Sequence, residues 1–295
     1  MVMIGWNEKA FRLSNYWNTN LDAYVKGVME RKTSAVFLFD GRSGLGKTTL
    51  SFQTGCAVAK KINEYMIKKD KNRKPKFDLN DVTWTPQDFI EKLRTANKGD
   101  IIILDESMIL SNRSSMSEYN KAVIIMMSLI RSKQIFVFFN VNSIFDLDRN
   151  LVLHRADVLL HLYAPDDRFG ARGNYFVVPI AKGKLKNLYI NGKKFYNYSC
   201  ARPAFRDNFS KFFPFDEKEY ESKKQKAIES YFSNKDGKKS PLAQKMRDNV
   251  FKYLINEKKM PQKELATIAQ CSERTISRVI NNKDVDIKEI INEMT

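Results

Sequence analysis

The chain has 295 residues, 43% of them hydrophobic, which is enough to bury the cores of one large domain and one small domain. With 51 Lys and Arg against 34 Asp and Glu, the net charge of +17 favours a polyanionic partner such as nucleic acid, with anionic lipid as the alternative. Three Cys and two His without metal-ligand spacing argue against a zinc site, and with no secretory signal or membrane-length apolar run we expect a cytoplasmic protein without a membrane partner.

Strands and helices are predicted to alternate over the first half of the chain. Apolar runs predict strands at residues 35–39, 82–84, 101–104, 135–139 and 158–163. Helical composition predicts helices at residues 21–31, 47–61, 86–96 and 120–131. This alternation predicts an α/β fold with a mostly parallel sheet covered by helices on both faces.

The pattern changes after residue 163. Residues 175–180 and 186–190 are rich in strand-forming side chains and flank a Lys-Gly-Lys turn, which predicts a hairpin. Residues 216–232 are charged and helical in composition, and residues 233–241 have the Ser, Asn, Gly and Lys content of a linker. We therefore expect domains at residues 1–232 and 242–295, joined by a linker at 233–241.

A glycine-rich turn follows the first of the strands predicted in that alternation. It fits the pattern Gly, four residues, Gly-Lys-Thr, between a predicted strand and a predicted helix, and its residues are Gly41, Arg42, Ser43, Gly44, Leu45, Gly46, Lys47, Thr48 and Thr49. Backbone N–H groups of such a loop point inward at phosphates, and the helix N-terminus adds partial positive charge. We expect ATP to bind here, with Lys47 at the β- and γ-phosphates and the Thr48 hydroxyl on Mg²⁺.

Two adjacent carboxylates, Asp105 and Glu106, follow the buried run at residues 101–104. At the carboxyl edge of a parallel sheet they would meet the loop, with Asp105 holding Mg²⁺ through water and Glu106 activating the attacking water. Asn140 and Asn142, after the next strand, are candidates for sensing the γ-phosphate, although Asn is also common in turns.

The two arginines Arg113 and Arg131 are candidates for an arginine finger acting on a neighbouring subunit, or else solvated surface residues.

The paired carboxylates and the intervening strand with a polar end resemble the additional-strand, catalytic-glutamate division of P-loop ATPases, which includes RecA, AAA+ and FtsK/HerA-type motors. Further residues between 113 and 155 resemble ATPases of mobile elements, grouped loosely with FtsK/HerA and Zot-like proteins. FtsK/HerA proteins usually carry Gln where this chain has Asn140 or Asn142. The resemblance covers roughly residues 34–163. It implies a RecA-like P-loop ATPase fold for the domain expected at residues 1–232 and assembly into a homo-oligomer.

Residues 262–281 have the apolar spacing of two short helices that cross at a tight turn, and resemble the helix-turn-helix of phage-repressor and resolvase-type domains. Ser272 is expected to cap the second helix, and Ser272, Arg274, Ser277 and Arg278 to face duplex DNA. A protein-binding helical bundle would show the same core periodicity, and Gln270 stands where such turns commonly have Gly.

Three functions are compatible with these patterns. The first is an ATP-driven DNA motor or remodelling ATPase of a virus, plasmid or mobile element. The second is an ATP-switched DNA-binding regulator, such as an initiator, helicase loader or partition factor. The third, a small-molecule kinase, is disfavoured because adjacent Asp and Glu suit water activation and the C-terminal helices would have no role.

Overall fold

The computed structural model describes residues 2–6, 9–68, 76–105, 123, 125–127, 130–164, 174–179, 183–233, 241–256, 259–269 and 271–281. Nine strands lie in this part of the chain: β1 Val2–Trp6, β2 Lys9–Leu13, β3 Ala35–Asp40, β4 Val82–Thr83, β5 Ile101–Leu104, β6 Phe136–Val141, β7 Val158–Tyr163, β8 Asn174–Pro179 and β9 Phe205–Asn208. The α-helices with described bounds are α1 Asn15–Glu30, α2 Lys47–Lys68, α3 Pro86–Thr95, α4 Arg149–His154, α5 Lys184–Gly192, α6 Glu217–Ser233, α7 Pro241–Asn256, α8 Gln262–Ile268 and α9 Glu273–Asn281.

The central sheet has seven strands in the order β4-β5-β6-β3-β7-β8-β9. The strands β4, β5, β6, β3 and β7 pair in parallel, and β8 and β9 add antiparallel strands at one edge. The predicted α/β class with a mostly parallel sheet is therefore confirmed. In this order β6 lies between β3, which precedes the glycine-rich turn, and β5, which precedes Asp105.

Helices cover both faces of the sheet. Because successive side chains on each strand point to opposite faces, the side chains on both faces are buried. On β3, Phe37 and Phe39 belong to one apolar cluster with α1 and α2, whereas Val36 and Leu38 belong to a second cluster with α3 and α5. A strand covered on both faces must be apolar throughout, which is why these segments are continuous apolar runs in the sequence.

The chain begins with an antiparallel hairpin of β1 and β2, which was not predicted. Ile4, Phe11 and Leu13 of the hairpin are buried in the cluster that also holds Trp17 of α1. The hairpin therefore extends the core on the side of the sheet that carries α2.

The hairpin predicted for residues 175–190 is wrong. Its first half is β8, which pairs with β7 and β9, but its second half lies in the helix α5. Leu185, Leu188 and Tyr189 have the spacing of one helical face, and all three are buried against the sheet. Helical burial of this face outweighs the strand propensity of the individual residues.

The last three helices surround a third apolar cluster. It contains Phe251 and Leu254 of α7, Leu265 of α8 and Ile276 of α9, together with Ile125 from the earlier part of the chain. Most of the expected linker lies outside the described residues, and the domain boundary stays a prediction. Ile125 nevertheless joins the C-terminal helices to the preceding fold by a buried contact.

Candidate functional site

The glycine-rich loop connects the carboxyl end of β3 to the first residue of α2. Three of its residues have backbone conformations that favour glycine, with φ of +137° at Gly41, +83° at Gly44 and +95° at Gly46. A Cβ at Gly41 would lie 2.4 Å from the backbone oxygen of Leu162. The loop therefore needs glycine both for its curvature and for its close approach to β7.

Lys47, the first residue of α2, folds back over the loop. Its Nζ donates hydrogen bonds to the backbone oxygens of Gly41 and Arg42, at 2.7 and 3.1 Å, and to Oδ1 of Asn142 at 3.0 Å. A side-chain ammonium held at the mouth of a glycine-rich loop and a helix N-terminus suits the binding of phosphate oxygens.

Asp105 lies immediately after β5, which β6 separates from β3, and its side chain is buried. Its carboxylate accepts hydrogen bonds from Thr48 Oγ1, at 3.2 Å, and from Asn140 Nδ2, at 2.8 Å. The Tyr220 hydroxyl donates a further hydrogen bond to Oδ2. These donors satisfy a buried carboxylate that would otherwise be costly to ionise.

The oxygen atoms around Asp105 fit the coordination of a magnesium ion. They are the Thr48 hydroxyl and the Asp105 carboxylate, and Asn140 Oδ1 is a buried oxygen without a hydrogen-bond partner among the described residues. Hard oxygen ligands of this kind are those that Mg²⁺ prefers, usually with several waters retained.

The two candidate asparagines have different positions. Asn140 is buried at the end of β6, and its amide bridges Ser51 Oγ, at 2.9 Å, and Asp105. Asn142 is exposed beyond the strand and contacts Lys47. Asn140 therefore belongs to the carboxylate side of the site and Asn142 to the side of the loop.

Of the other predicted catalytic residues, Arg131 is in the described part of the chain, and it does not join this cluster. Glu106 and Arg113 lie outside the described residues. Arg131 is exposed in the short 3-10 helix Ile130–Lys133, which precedes β6. This helix therefore lies at the amino ends of the parallel strands, whereas the glycine-rich loop lies at their carboxyl ends. A role for either arginine in a neighbouring subunit stays a prediction.

Tyr220 was not anticipated from the sequence. It lies in the first turn of α6, 115 residues after Asp105, and is buried against the rings of Phe52, Trp84 and Phe213. Burial, with the neighbouring Asp105 carboxylate, raises the pKa of the Tyr220 hydroxyl well above its ordinary value. The hydroxyl therefore keeps its proton and remains a donor at any pH used for assay.

A second polar cluster supports the base of the loop. Asp40, the residue before Gly41, is fully buried and accepts hydrogen bonds from the backbone N–H of Ile144, at 3.1 Å, and from the Tyr198 hydroxyl. Its other oxygen lies 2.8 Å from Nδ1 of His161. The carboxylate thus ties the end of β3 to the segment that follows β6 and to β7, and the only sequence signal for it was an Asp at the end of an apolar run.

The C-terminal helices match the predicted pair of helices. The helix α8 ends at Ile268, and Ser272 Oγ accepts a hydrogen bond from the backbone N–H of Thr275 at 3.2 Å, which caps α9 as expected. Arg274 and Arg278 are exposed on α9, and Ser277 between them is half-buried. Gln270 lies outside the described residues.

Comparisons with known proteins give limited likenesses. No protein-family model and no curated protein sequence matches the chain. Among solved structures, the N-terminal domain of zonular occludens toxin from Neisseria meningitidis is 18% identical, with 64% of this chain and 98% of that chain covered and a TM-score of 0.37. The FIGL-1 AAA domain in complex with ADP is 12% identical, with 96% and 87% covered and a TM-score of 0.35, and the FIGL-1 AAA domain in a second structure is 14% identical, with 55% and 56% covered and a TM-score of 0.33.

Among the described helices, none is long and apolar enough to cross a membrane.

Proposed function

We propose that this protein is an ATP-hydrolysing, DNA-binding protein that acts as a DNA motor or remodelling ATPase of a virus, plasmid or mobile element. The observation that carries the ATPase part is the convergence of Lys47, Thr48 and Asp105 at the mouth of the glycine-rich loop. A P-loop ATPase uses a lysine at this position to bind the phosphates of ATP, and a hydroxyl and a carboxylate at these positions to hold the accompanying Mg²⁺.

Phosphate binding would begin with an exchange of partners by Lys47. Its Nζ bonds to two loop carbonyls and to Asn142, and the β- and γ-phosphate oxygens would replace some of these acceptors. Backbone N–H groups of the loop and of the first turn of α2 would complete the phosphate cradle. Asn142 is proposed to sense the γ-phosphate, because its amide oxygen bonds to the ammonium that would exchange partners.

Thr48 and Asp105 are the residues proposed to hold Mg²⁺, Thr48 directly and Asp105 through water. When bound, the ion neutralises charge on the β- and γ-phosphate oxygens during phosphoryl transfer. Asn140 and Tyr220 orient the Asp105 carboxylate by hydrogen bonds from two directions. Glu106, the next residue in the sequence, is proposed to deprotonate the attacking water.

The additional-strand arrangement supports the wider assignment. In the division of P-loop ATPases that the sequence resembles, a strand with a polar end separates the loop strand from the strand with the acidic pair. Here β6, with Asn140 near its end, separates β3 from β5. Proteins of that division often assemble so that one subunit completes the site of its neighbour, and we propose that this chain forms a homo-oligomer of that kind.

Two observations support a duplex DNA partner. The chain carries a net charge of +17, and α9 presents Arg274 and Arg278 to solvent after a capped turn. A helix of this kind fits the major groove, where arginines contact base edges and phosphates. The second candidate function, an ATP-switched DNA-binding regulator, would use the same groups with slow hydrolysis and no movement along DNA.

The test is ATP turnover by the purified full chain, measured with and without DNA, together with the mass of the oligomer in solution. Lys47→Ala should abolish nucleotide binding or turnover, whereas Glu106→Gln should keep ATP bound and block hydrolysis. Lys60→Ala provides a control, since it removes the same charge from α2 at a distance from the loop.

A motor should show turnover that rises severalfold with DNA in a multi-subunit assembly, whereas a switch should hydrolyse slowly under all these conditions. If Lys47→Ala and Lys60→Ala both turned over ATP at the wild-type rate, the proposed nucleotide site would be wrong. If Glu106→Gln did so, the role of Glu106 would have to pass to another residue.

A further inference from the structure

A basic surface with exposed aromatic side chains lies outside the nucleotide site and the C-terminal helices. The 24 residues from 183 to 206 contain six Lys or Arg and no Asp or Glu. Of the seven exposed large hydrophobic side chains in the described part of the chain, three fall within residues 190–196, and they are Ile190, Phe195 and Tyr196. We call residues 186–196 the 186–196 surface.

The most exposed of these side chains is Phe195, at 74% of its possible area. The ammonium of Lys194 lies 5.0 Å from the centre of the Phe195 ring. Lys186 is exposed on the same surface, and the exposed residues Asn187 and Asn191 lie between these groups in the sequence. Cations, exposed aromatic rings and side-chain amides therefore lie close together on this surface.

The backbone that carries Phe195 is held in place. Tyr196 adopts a left-handed conformation with φ of +51°, and its hydroxyl donates to Asp146 Oδ1 at 2.6 Å. The Phe145 ring packs against Tyr196 with centroids 5.4 Å apart. At Gly192 an added Cβ would lie 2.7 Å from the same Phe145 ring, so the chain approaches that ring closely. Phe195 is thus exposed on an anchored segment.

The chemistry of this surface fits single-stranded nucleic acid better than the other polyanions. Unpaired bases stack on exposed aromatic rings while lysines neutralise the adjacent phosphates. Bases in a duplex are already stacked on each other and offer no open face to Phe195. A membrane-binding face would be more continuously apolar, whereas here amides separate the apolar side chains.

We propose that the 186–196 surface binds single-stranded nucleic acid, with bases stacked on Phe195 and Tyr196 and phosphates paired with Lys186 and Lys194. This site is separate from the duplex contact proposed for α9 and does not depend on ATP binding. The surface is anchored on Phe145 and Asp146, which follow Asn142 closely in the sequence, so the bound strand would lie near the nucleotide site.

The experiment measures binding of fluorescent oligo(dT) to the full chain by anisotropy, without nucleotide and at several salt concentrations. Phe195→Ala should weaken binding by about fivefold or more, the lower end of the loss expected when one base loses an aromatic stacking partner. Ile67→Ala is the matched control, because Ile67 is a comparably exposed hydrophobic residue on α2, outside the surface. Phe195 is exposed, so the variant should keep the wild-type thermal unfolding transition.

The lysines make a second, independent arm. Lys186→Ala with Lys194→Ala should reduce the slope of log affinity against log salt by about 1.4, since each single-strand phosphate contact contributes about 0.7. A double variant of the exposed residues Lys26 and Lys68 to Ala removes the same charge elsewhere and should leave the slope for oligo(dT) close to that of the wild type.

Duplex DNA and anionic vesicles of phosphatidylserine and phosphatidylcholine are tested in parallel. Selective loss of oligo(dT) binding in the Phe195 and lysine variants would support the proposal. Equal losses for duplex and oligo(dT), a loss confined to vesicles, or unchanged oligo(dT) affinity in Phe195→Ala would each overturn it. Loss of duplex binding in an Arg274→Ala, Arg278→Ala variant with oligo(dT) binding retained would show that the two sites are distinct.

Discussion

Replacement of Tyr220 by Phe tests how the buried carboxylate of the site is maintained. The substitution removes one oxygen atom and leaves the ring in its aromatic cluster with Phe52 and Trp84. Asp105 loses the shorter of the two hydrogen bonds to its Oδ2 atom, in a place that is buried from solvent, and keeps the longer one from Thr48 Oγ1 at 3.5 Å. Hydrogen bonds to charged groups contribute about 1.5–3 kcal/mol, so we expect the free energy of unfolding to fall by that amount.

The matched control is Tyr175→Phe. Tyr175 is also fully buried, but its hydroxyl bonds to no carboxylate among the described residues, and it lies near the neutral Ser14 hydroxyl. Loss of this hydroxyl removes no hydrogen bond to a charged group, so the free energy of unfolding should change by less than about 1 kcal/mol. Urea titrations at pH 7.5, followed by tryptophan fluorescence, compare the two variants with the wild type under one condition.

Tyr220→Phe should also change the affinity of the site for magnesium. Groups that orient a metal-binding carboxylate typically change metal affinity or activity by about 10- to 100-fold when they are removed. Tyr220→Phe should therefore raise the Mg²⁺ concentration needed for half-maximal binding of a fluorescent ATP analogue, whereas Tyr175→Phe should not. If both variants matched the wild type in stability and in Mg²⁺ dependence, the hydrogen bond to Asp105 would have no role in the site.

Three further outcomes follow from single positions. Gly41→Ala should lower the free energy of unfolding by more than about 2 kcal/mol in urea, because φ is +137° and a backbone oxygen would lie 2.4 Å from the new Cβ, whereas Gly44→Ala, with open space around it, should cost about 1 kcal/mol. Burial raises the pKa of Asp157 from 3.8 to about 6, so this carboxyl lowers the free energy of unfolding as pH rises from about 4 to about 6, and the loss is complete above that range. Asp157→Asn should raise the free energy of unfolding by roughly 1–3 kcal/mol at pH 7.5, and the gain should shrink as pH falls below about 6 and vanish by about pH 3, where the carboxyl is protonated in both states. Finally, Arg274→Ala with Arg278→Ala should make the slope of log affinity for duplex DNA against log salt shallower by about 2, and an unchanged slope would reassign α9 to protein contacts.

Local sequence was sufficient for those parts of the fold whose determinants lie close together in the chain. The strand, the glycine-rich turn and the start of α2 were predicted because Gly41, Gly46 and Lys47 act within a few residues of each other. The helix α3, with Pro86 at its first position after Thr85, was predicted for the same reason. The α8 and α9 pair likewise follows from apolar spacing and a capping Ser272.

Where a segment fits both a strand and a helix, the local sequence did not decide between the two. Residues 184–192 have strand-forming side chains, but Leu185, Leu188 and Tyr189 also share a helical face, and that face is the one buried against the sheet. The order of the strands depends in the same way on long-range packing. The amphipathic pattern within a segment is visible in the sequence, whereas the neighbour that buries its apolar face is not.

The sequence by itself determined the loop, its lysine and the carboxylate at the next apolar strand, because each is marked by residue type and spacing. Only the tertiary structure decided which polar groups meet there. It separated Asn140, beside Asp105, from Asn142, beside Lys47, and it brought Tyr220 to a carboxylate 115 residues away. It also placed Arg131 at the amino ends of the parallel strands, away from the glycine-rich loop. Contacts between residues so distant in the chain are set by how the strands and helices pack, and no local pattern records them.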